Sequence, residues 1–248
     1  MFKLGKLAPR QDPRTFRLAQ YMIAGLPAPP PETNWIRGGQ ISRWPMMAND
    51  RIGDCVIAAC AHMLQEWSIL ANPPGVVPTD QQVITAYSAI TGYDPQDPST
   101  DQGTNMLDAL NYWRNTGIAG HRIAGFVTTG LGNRREIMQA IALFGNAAIG
   151  LALPKTAQDQ TVWDVPRSGP VGDGAPGSWG GHGVPLVDYS PDGLICITWG
   201  SEKLMTWDFW AAYTDENYAV LSRDWIERSG EAPSAFNLGQ LQADLARL

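Results

Sequence analysis

The stretch Asn49-Asp50-Arg51-Ile52-Gly53-Asp54-Cys55-Val56-Ile57-Ala58-Ala59-Cys60 constrains this chain more than any other, because a polar turn there runs straight into a strongly helical, small-residue segment. Asp50, Gly53 and Asp54 are turn and N-cap types, and Val56 to Leu70 carries apolar residues at three- and four-residue spacing, which predicts a helix. Cys55 falls in its first turn. The unpaired N–H groups and positive dipole end there favour a thiolate, the nucleophilic form of cysteine. A buried thiol that only packs is the alternative reading, and Cys60 on the same helix fits that description.

The rest of the composition narrows the chemistry. Cys55, Cys60 and Cys196 are too few and too odd in number for a disulfide framework, and neither a CxxC spacing nor a Cys/His cluster points to structural zinc. Asp94, Asp97 and Asp101 lie close together, but prolines interrupt them and the residue order of a calcium loop is missing, so no metal or cofactor is expected. With a net charge of −6 and 18 Lys+Arg residues that form no run, nucleic acid and anionic membranes are disfavoured as partners. No 18-residue apolar run exists, and the start MFKLGKLAPRQDPR lacks the hydrophobic centre of a signal peptide. A cytoplasmic location, or incorporation in a particle, is the expectation.

Along the chain, residues 1–33 hold a short amphipathic piece, Thr15 to Gly25, and then Pro27, Pro29, Pro30 and Pro31, a stiff and extended run. This segment reads as an arm that contacts the body away from any cleft, or a partner chain. Trp35 and Trp44 anchor an irregular entry to the Cys55 helix. Further helices are expected over Gln81 to Gly92, Asn105 to Asn115 and Asn133 to Phe144. The second half is mostly strand: His121 to Val127, Ala147 to Leu153, Gly183 to Tyr189, Leu194 to Trp199 and Tyr218 to Ser222. A Gly-rich loop, Pro170 to Gly181, delivers His182 to one of these strands, and an amphipathic helix, Gln240 to Leu248, closes the chain. Of the three histidines, His62 sits two turns along the Cys55 helix and His121 opens a strand, so His182 is the candidate partner for Cys55. A cysteine on an early helix N-terminus and a histidine on a late strand is the order of a Cys–His nucleophilic pair.

That order resembles the papain-like cysteine peptidases over residues 34–221. Gly53-Asp54-Cys55 resembles the family's Gly-Ser-Cys, and Thr79-Asp80-Gln81-Gln82-Val83 resembles its Ser-Glu-Gln-Gln-Leu. Gly181-His182-Gly183-Val184 through Asp188-Tyr189 is similar to its histidine strand, and Thr198-Trp199-Gly200 to its Ser-Trp-Gly. The resemblance implies an α+β fold with a mainly helical lobe (about 45–118), a β-barrel-like lobe (about 119–221) and a cleft between them, preceded by the arm at 1–33 and followed by an extension at 222–248. It implies Cys55 as nucleophile, His182 as its acid–base partner, Asn49 in place of the family's oxyanion-donating Gln, Gly103 for substrate backbone, and Trp199 as a screen over the pair. Two departures stand out: Val56 replaces the Trp after the nucleophile, and Ile197 stands where the histidine-orienting Asn belongs. The implied function is cleavage of peptide or isopeptide bonds in a polypeptide substrate. The alternative is a weakly active or inactive domain serving as a component of a larger phage or bacterial assembly, with the arm mediating homo- or hetero-oligomer contacts.

Overall fold

The computed structural model describes residues 2–22, 28–36, 41–71, 73–222, 225, 237–245 and 247. The expectations for Pro27, for residues 23–25 of the amphipathic piece and for most of 223–236 fall outside them.

Helix α1 (Cys55–Ala71) starts where Asp54 ends the turn, and the Asp54 carbonyl accepts the N–H groups of Ile57 and Ala58 at 2.8 and 3.0 Å. Nearly every α1 side chain is buried, because the helix runs through the molecule. Helix α2 (Asp80–Thr91) is opened by a capping box between Thr79 and Gln82 and closed by Gly92 in the left-handed region, φ 78°. Helix α3 (Met106–Asn115) is capped by the Asn105 side chain on Leu107 N–H. These three helices share one apolar core with Met47, Val56, Leu64, Trp67, Val83 and Trp113 at its centre.

Beyond α3, strand β1 (Ile123–Thr128), helix α4 (Arg134–Phe144), strands β2 (Ala147–Leu153), β3 (Gly180–Ser190), β4 (Gly193–Thr198) and β5 (Ser201–Thr206), helix α5 (Trp207–Tyr213) and strand β6 (Thr214–Ser222) build the second half. The strands form one antiparallel sheet in the order β1-β6-β2-β3-β4-β5. Ile149, Leu151, Val184, Leu186, Phe209 and Ala219 belong to a second core between this sheet and helices α4 and α5. Helix α6 (Leu238–Leu245) covers the early chain, where Asn237 N–H donates to the Tyr21 carbonyl at 2.9 Å and Tyr21 Oη to Asp244 Oδ2 at 3.1 Å.

Two features bring the halves together. Helix α1 lies against β3, and Gly183 allows the contact, since a Cβ there would stand 3.1 Å from the Val56 Cα. The Trp anchors do the rest. Trp35 donates its indole N–H to Ile141 O at 3.1 Å while Asp188 Oδ1 receives its backbone N–H at 2.8 Å, and Trp44 donates to Glu202 Oε1 at 3.3 Å.

The arm lies elsewhere than its sequence suggests. Instead of avoiding the body's central groove, residues 2–8 run along it, past Trp199, Gly53, Gly103 and Gly181. Glycines at those points make the path possible: a Cβ on Gly5 would come within 1.7 Å of the Gly53 carbonyl oxygen. Further on, Arg10 pairs with Asp108, and Thr128 N–H donates to the Phe16 carbonyl at 2.8 Å.

Candidate active site

The approach of α1 to β3 places Cys55 and His182 in the wall of one small cavity, which Asn49, Ile197, Thr198 and Trp199 also line. Cys55 Sγ accepts the Gly183 N–H at 3.4 Å, so the residue after the histidine holds the sulfur directly. His182 is the third residue of β3, paired across the ladder with Leu151. Its Nε2 lies 2.8 Å from Thr198 Oγ1, whereas Nδ1 has no hydrogen-bond partner among the described residues.

Thr198, which no sequence pattern singles out, is the side chain that meets the imidazole. The family pattern directs attention to position 197, and Ile197 there packs among Ile36, Ile41, Trp44, Ile69 and Val187. One residue on, at the end of β4, the hydroxyl of Thr198 meets the imidazole. The threonine is visible in the sequence beside Trp199, but only the placement of β4 against β3 distinguishes it from its neighbour.

Trp199 and Gly200 form the two-residue turn between β4 and β5, both with positive φ (45° and 72°), the geometry of a type I′ hairpin. A tryptophan in that conformation is strained, and the turn presents its ring flat over the imidazole, with centroids 4.4 Å apart and planes 15° from parallel. Phe2 of the arm stacks on Trp199 at 4.5 Å, and the Trp199 indole N–H donates to the Lys3 carbonyl at 3.2 Å.

Asn49 is buried beside the pair, with one amide N–H directed to the Ile52 carbonyl at 3.2 Å. The same amide also acts on the buried Asp54 carboxyl, so Asn49 ties the turn to the start of α1 while lining the cavity. Gly103 adopts φ 78°, donates its N–H to the Tyr87 hydroxyl oxygen at 2.8 Å, and lies against the Gly5 carbonyl of the arm. The backbone pairing itself falls on the next residue. Thr104 N–H donates to Gly5 O at 2.7 Å and Leu7 N–H donates to Thr104 O at 3.0 Å, a parallel bridge centred on Lys6. Lys6 N–H also donates to Gly181 O at 3.1 Å. Asp101, one of the three loop aspartates, turns its carboxylate to the Gly53 N–H and the Tyr87 hydroxyl, which braces the turn before Cys55.

Burial governs the electrostatics. The helix terminus predicts a lowered thiol pKa, but desolvation by burial pushes Cys55 up to about 11, with the Gly183 N–H, the Gly5 N–H and the Lys6 charge opposing it. Desolvation likewise holds His182 down to about 3. With the arm seated, the site therefore holds a neutral thiol and a neutral imidazole. Burial also pushes the carboxyl of Asp54, between the turn and Cys55, well above the ordinary carboxylate range.

No family model and no curated protein sequence matches the chain. Solved structures do. Xylellain, a cysteine protease from Xylella fastidiosa, superposes with a TM-score of 0.69 over 89% of this chain and 96% of its own, at 13% identity. The Carica candamarcensis cysteine protease CMS1MS2 matches at a TM-score of 0.54 with 15% identity, covering 78% of this chain and 99% of that one. A digestive procathepsin L2 proteinase from Tenebrio molitor matches at 0.56 with 14% identity, over 89% of this chain and 78% of that one. At such identities the likeness speaks for the fold, and the helical half, the antiparallel sheet and the groove between them agree with it: the chain has the papain-like fold, in a form that has diverged far in sequence from the structures it matches.

Proposed function

We propose that the chain is a thiol hydrolase acting on peptide or isopeptide bonds, with Cys55 and His182 as its reacting pair and its own arm as a plug. The observation that carries this reading is the single small cavity shared by Cys55 and His182, with Thr198 and Trp199 gripping the imidazole from its far nitrogen and its face.

Once the arm leaves and water enters, the desolvation that keeps both groups neutral is relieved, and the proton moves from Cys55 to His182 Nδ1. The sulfur then attacks the substrate carbonyl, forming a C–S bond, while the charge on oxygen is held by the Cys55 backbone N–H and the side-chain amide of Asn49. As the C–N bond breaks, the imidazolium gives its proton to the departing amine. Water, deprotonated by His182, cleaves the thioester to a carboxylic acid and restores the thiol. Because Trp199 flanks His182, the leaving amine lies on the Trp199 side and the acyl half on the Thr104 side. The arm runs the opposite way, from Phe2 at Trp199 to Leu7 at Thr104. Its peptide bonds cross the sulfur reversed, which accounts for an intact segment inside a cleft built to cut.

Lys6→Glu sets a third carboxylate against Asp215 and Glu216 and so expels the arm. In that variant, iodoacetamide should label Cys55 rapidly, and a pool of fluorogenic peptides should be cleaved in a reaction abolished by adding Cys55→Ala. Rapid labelling of Cys55 without any turnover would refute the hydrolase reading and favour a papain-like domain kept for binding or assembly.

A further inference from the structure

We infer that the cleft selects a basic side chain, lysine or arginine, at the substrate residue preceding the one whose carbonyl is attacked. The inference rests on the hydrolase reading and adds the substrate class to it.

The chain's own arm supplies the occupant. Gly5 lies over the turn at Gly53, next to Cys55, and Lys6, its neighbour, is bracketed by the N–H and carbonyl of Thr104. The Lys6 side chain, 1% exposed, enters a pocket in the sheet beside that strand. There Nζ lies 2.9 Å from Asp215 Oδ2 and 3.2 Å from Glu216 Oε1, both at the start of β6.

Three features mark this as a shaped pocket rather than a chance ion pair. Gly150, opposite Glu216 on β2, leaves the space that the lysine stem fills, since a Cβ there would stand 2.0 Å from Lys6 Cε and 2.6 Å from Glu216 Cγ. Glu216 is only 6% exposed, and two carboxylates converge where one ammonium sits, so an empty or apolar-filled pocket would leave buried negative charge uncompensated. Tyr218 donates its hydroxyl to Glu216 Oε2 at 2.9 Å and fixes the carboxylate with Oε1 facing the lysine. A site built around a charge rejects an isostere lacking it more strongly than an apolar slot discriminates by size.

Backbone polarity does not change the assignment. Although the arm runs opposite to a substrate, Thr104 can bond the neighbours of a parallel residue or the N–H and carbonyl of an antiparallel one, and opposed residues project to the same side of a ladder in both cases, towards the same pocket. The arm thus reports which side chain the pocket accepts while presenting its peptide bonds the wrong way round.

The test uses the full chain carrying Lys6→Glu and fluorogenic peptides that differ at one residue only: lysine, arginine, or norleucine, which has the lysine stem without the charge. Lysine and arginine peptides should exceed the norleucine peptide by at least about tenfold in kcat/KM. Asp215→Asn with Glu216→Gln should bring that ratio close to one, and a ratio that stays at tenfold or more in this variant overturns the inference. Equal or better cleavage of the norleucine peptide overturns the inference while the hydrolase reading stands. Calorimetry on Lys6→Glu/Cys55→Ala separates the two ideas from the other side. Binding of the lysine peptide about tenfold tighter than the norleucine peptide supports the pocket even if nothing is cut, and equal affinities for the two overturn it.

Discussion

Thr198, not residue 197, places a hydroxyl 2.8 Å from the His182 Nε2. If its hydroxyl holds the His182 ring, Thr198→Val keeps the shape and removes a hydrogen bond worth about 1–1.5 kcal/mol, so kcat in the arm-expelled variant should fall by roughly tenfold with KM little changed. Thr198→Ser should restore most of it, which a purely structural role would not require. Ile197→Asn, by contrast, places an amide among Ile36, Trp44 and Ile69; its melting temperature should drop without a gain in turnover. Cys55, His182, Asn49, Gly103 and Trp199 were all legible in the sequence as positions, and all five lie along the same groove. Their protonation states were not legible. A helix terminus favours a thiolate, but the burial that outweighs it comes from the packed tertiary surroundings, and no local pattern reports that.

At the scale of elements, most of the helices and strands follow from spacing and caps. Ala147 to Leu153 falls on the expected residues, and α2 and α3 are shifted by one at their starts, where Thr79 and Asn105 serve as caps. The arm is the exception. Its prolines and polar residues suggest a segment seeking a partner, whereas its first residues, Phe2 to Leu7, read as nothing in particular. Only the row of glycines facing it, Gly53, Gly103 and Gly181, explains why backbone can lie there. Accessibility of the thiol should expose this directly. In the full chain, a pKa near 11 means the thiolate appears only as pH rises through that value, so alkylation of Cys55 should be slow at pH 7 and climb steeply above pH 9. In Lys6→Glu the rise should begin near or below neutrality. Identical pH profiles for the two proteins would show that the arm does not control the sulfur.

Across the whole molecule, buried acids make stability depend on pH in an unusual direction. Glu66 sits inside α1, completely buried, with Asn146 Nδ2 donating to its Oε2 at 2.8 Å, and burial raises its pKa well above the ordinary value. A carboxyl whose folded pKa exceeds its unfolded one binds its proton more tightly in the folded state, so its contribution is full below the unfolded pKa and is lost as pH rises through the folded pKa. Glu66→Gln cannot ionise; the melting temperature of the variant relative to wild type should therefore increase between pH 5 and pH 9, and a constant difference would mean that Glu66 does not titrate in that range. The arm has a further consequence at this scale. It is tethered by the Phe16–Thr128 hydrogen bond, about ten residues from Lys6, and is therefore present at the cleft at an effective concentration on the order of millimolar whatever the protein concentration. Dilution cannot release it, and any molecule entering the cleft must displace a neighbour that never diffuses away. A single nick in the exposed stretch Pro9 to Gln11 would turn that neighbour into a free fragment, and its hold on the cleft would then weaken with every further dilution.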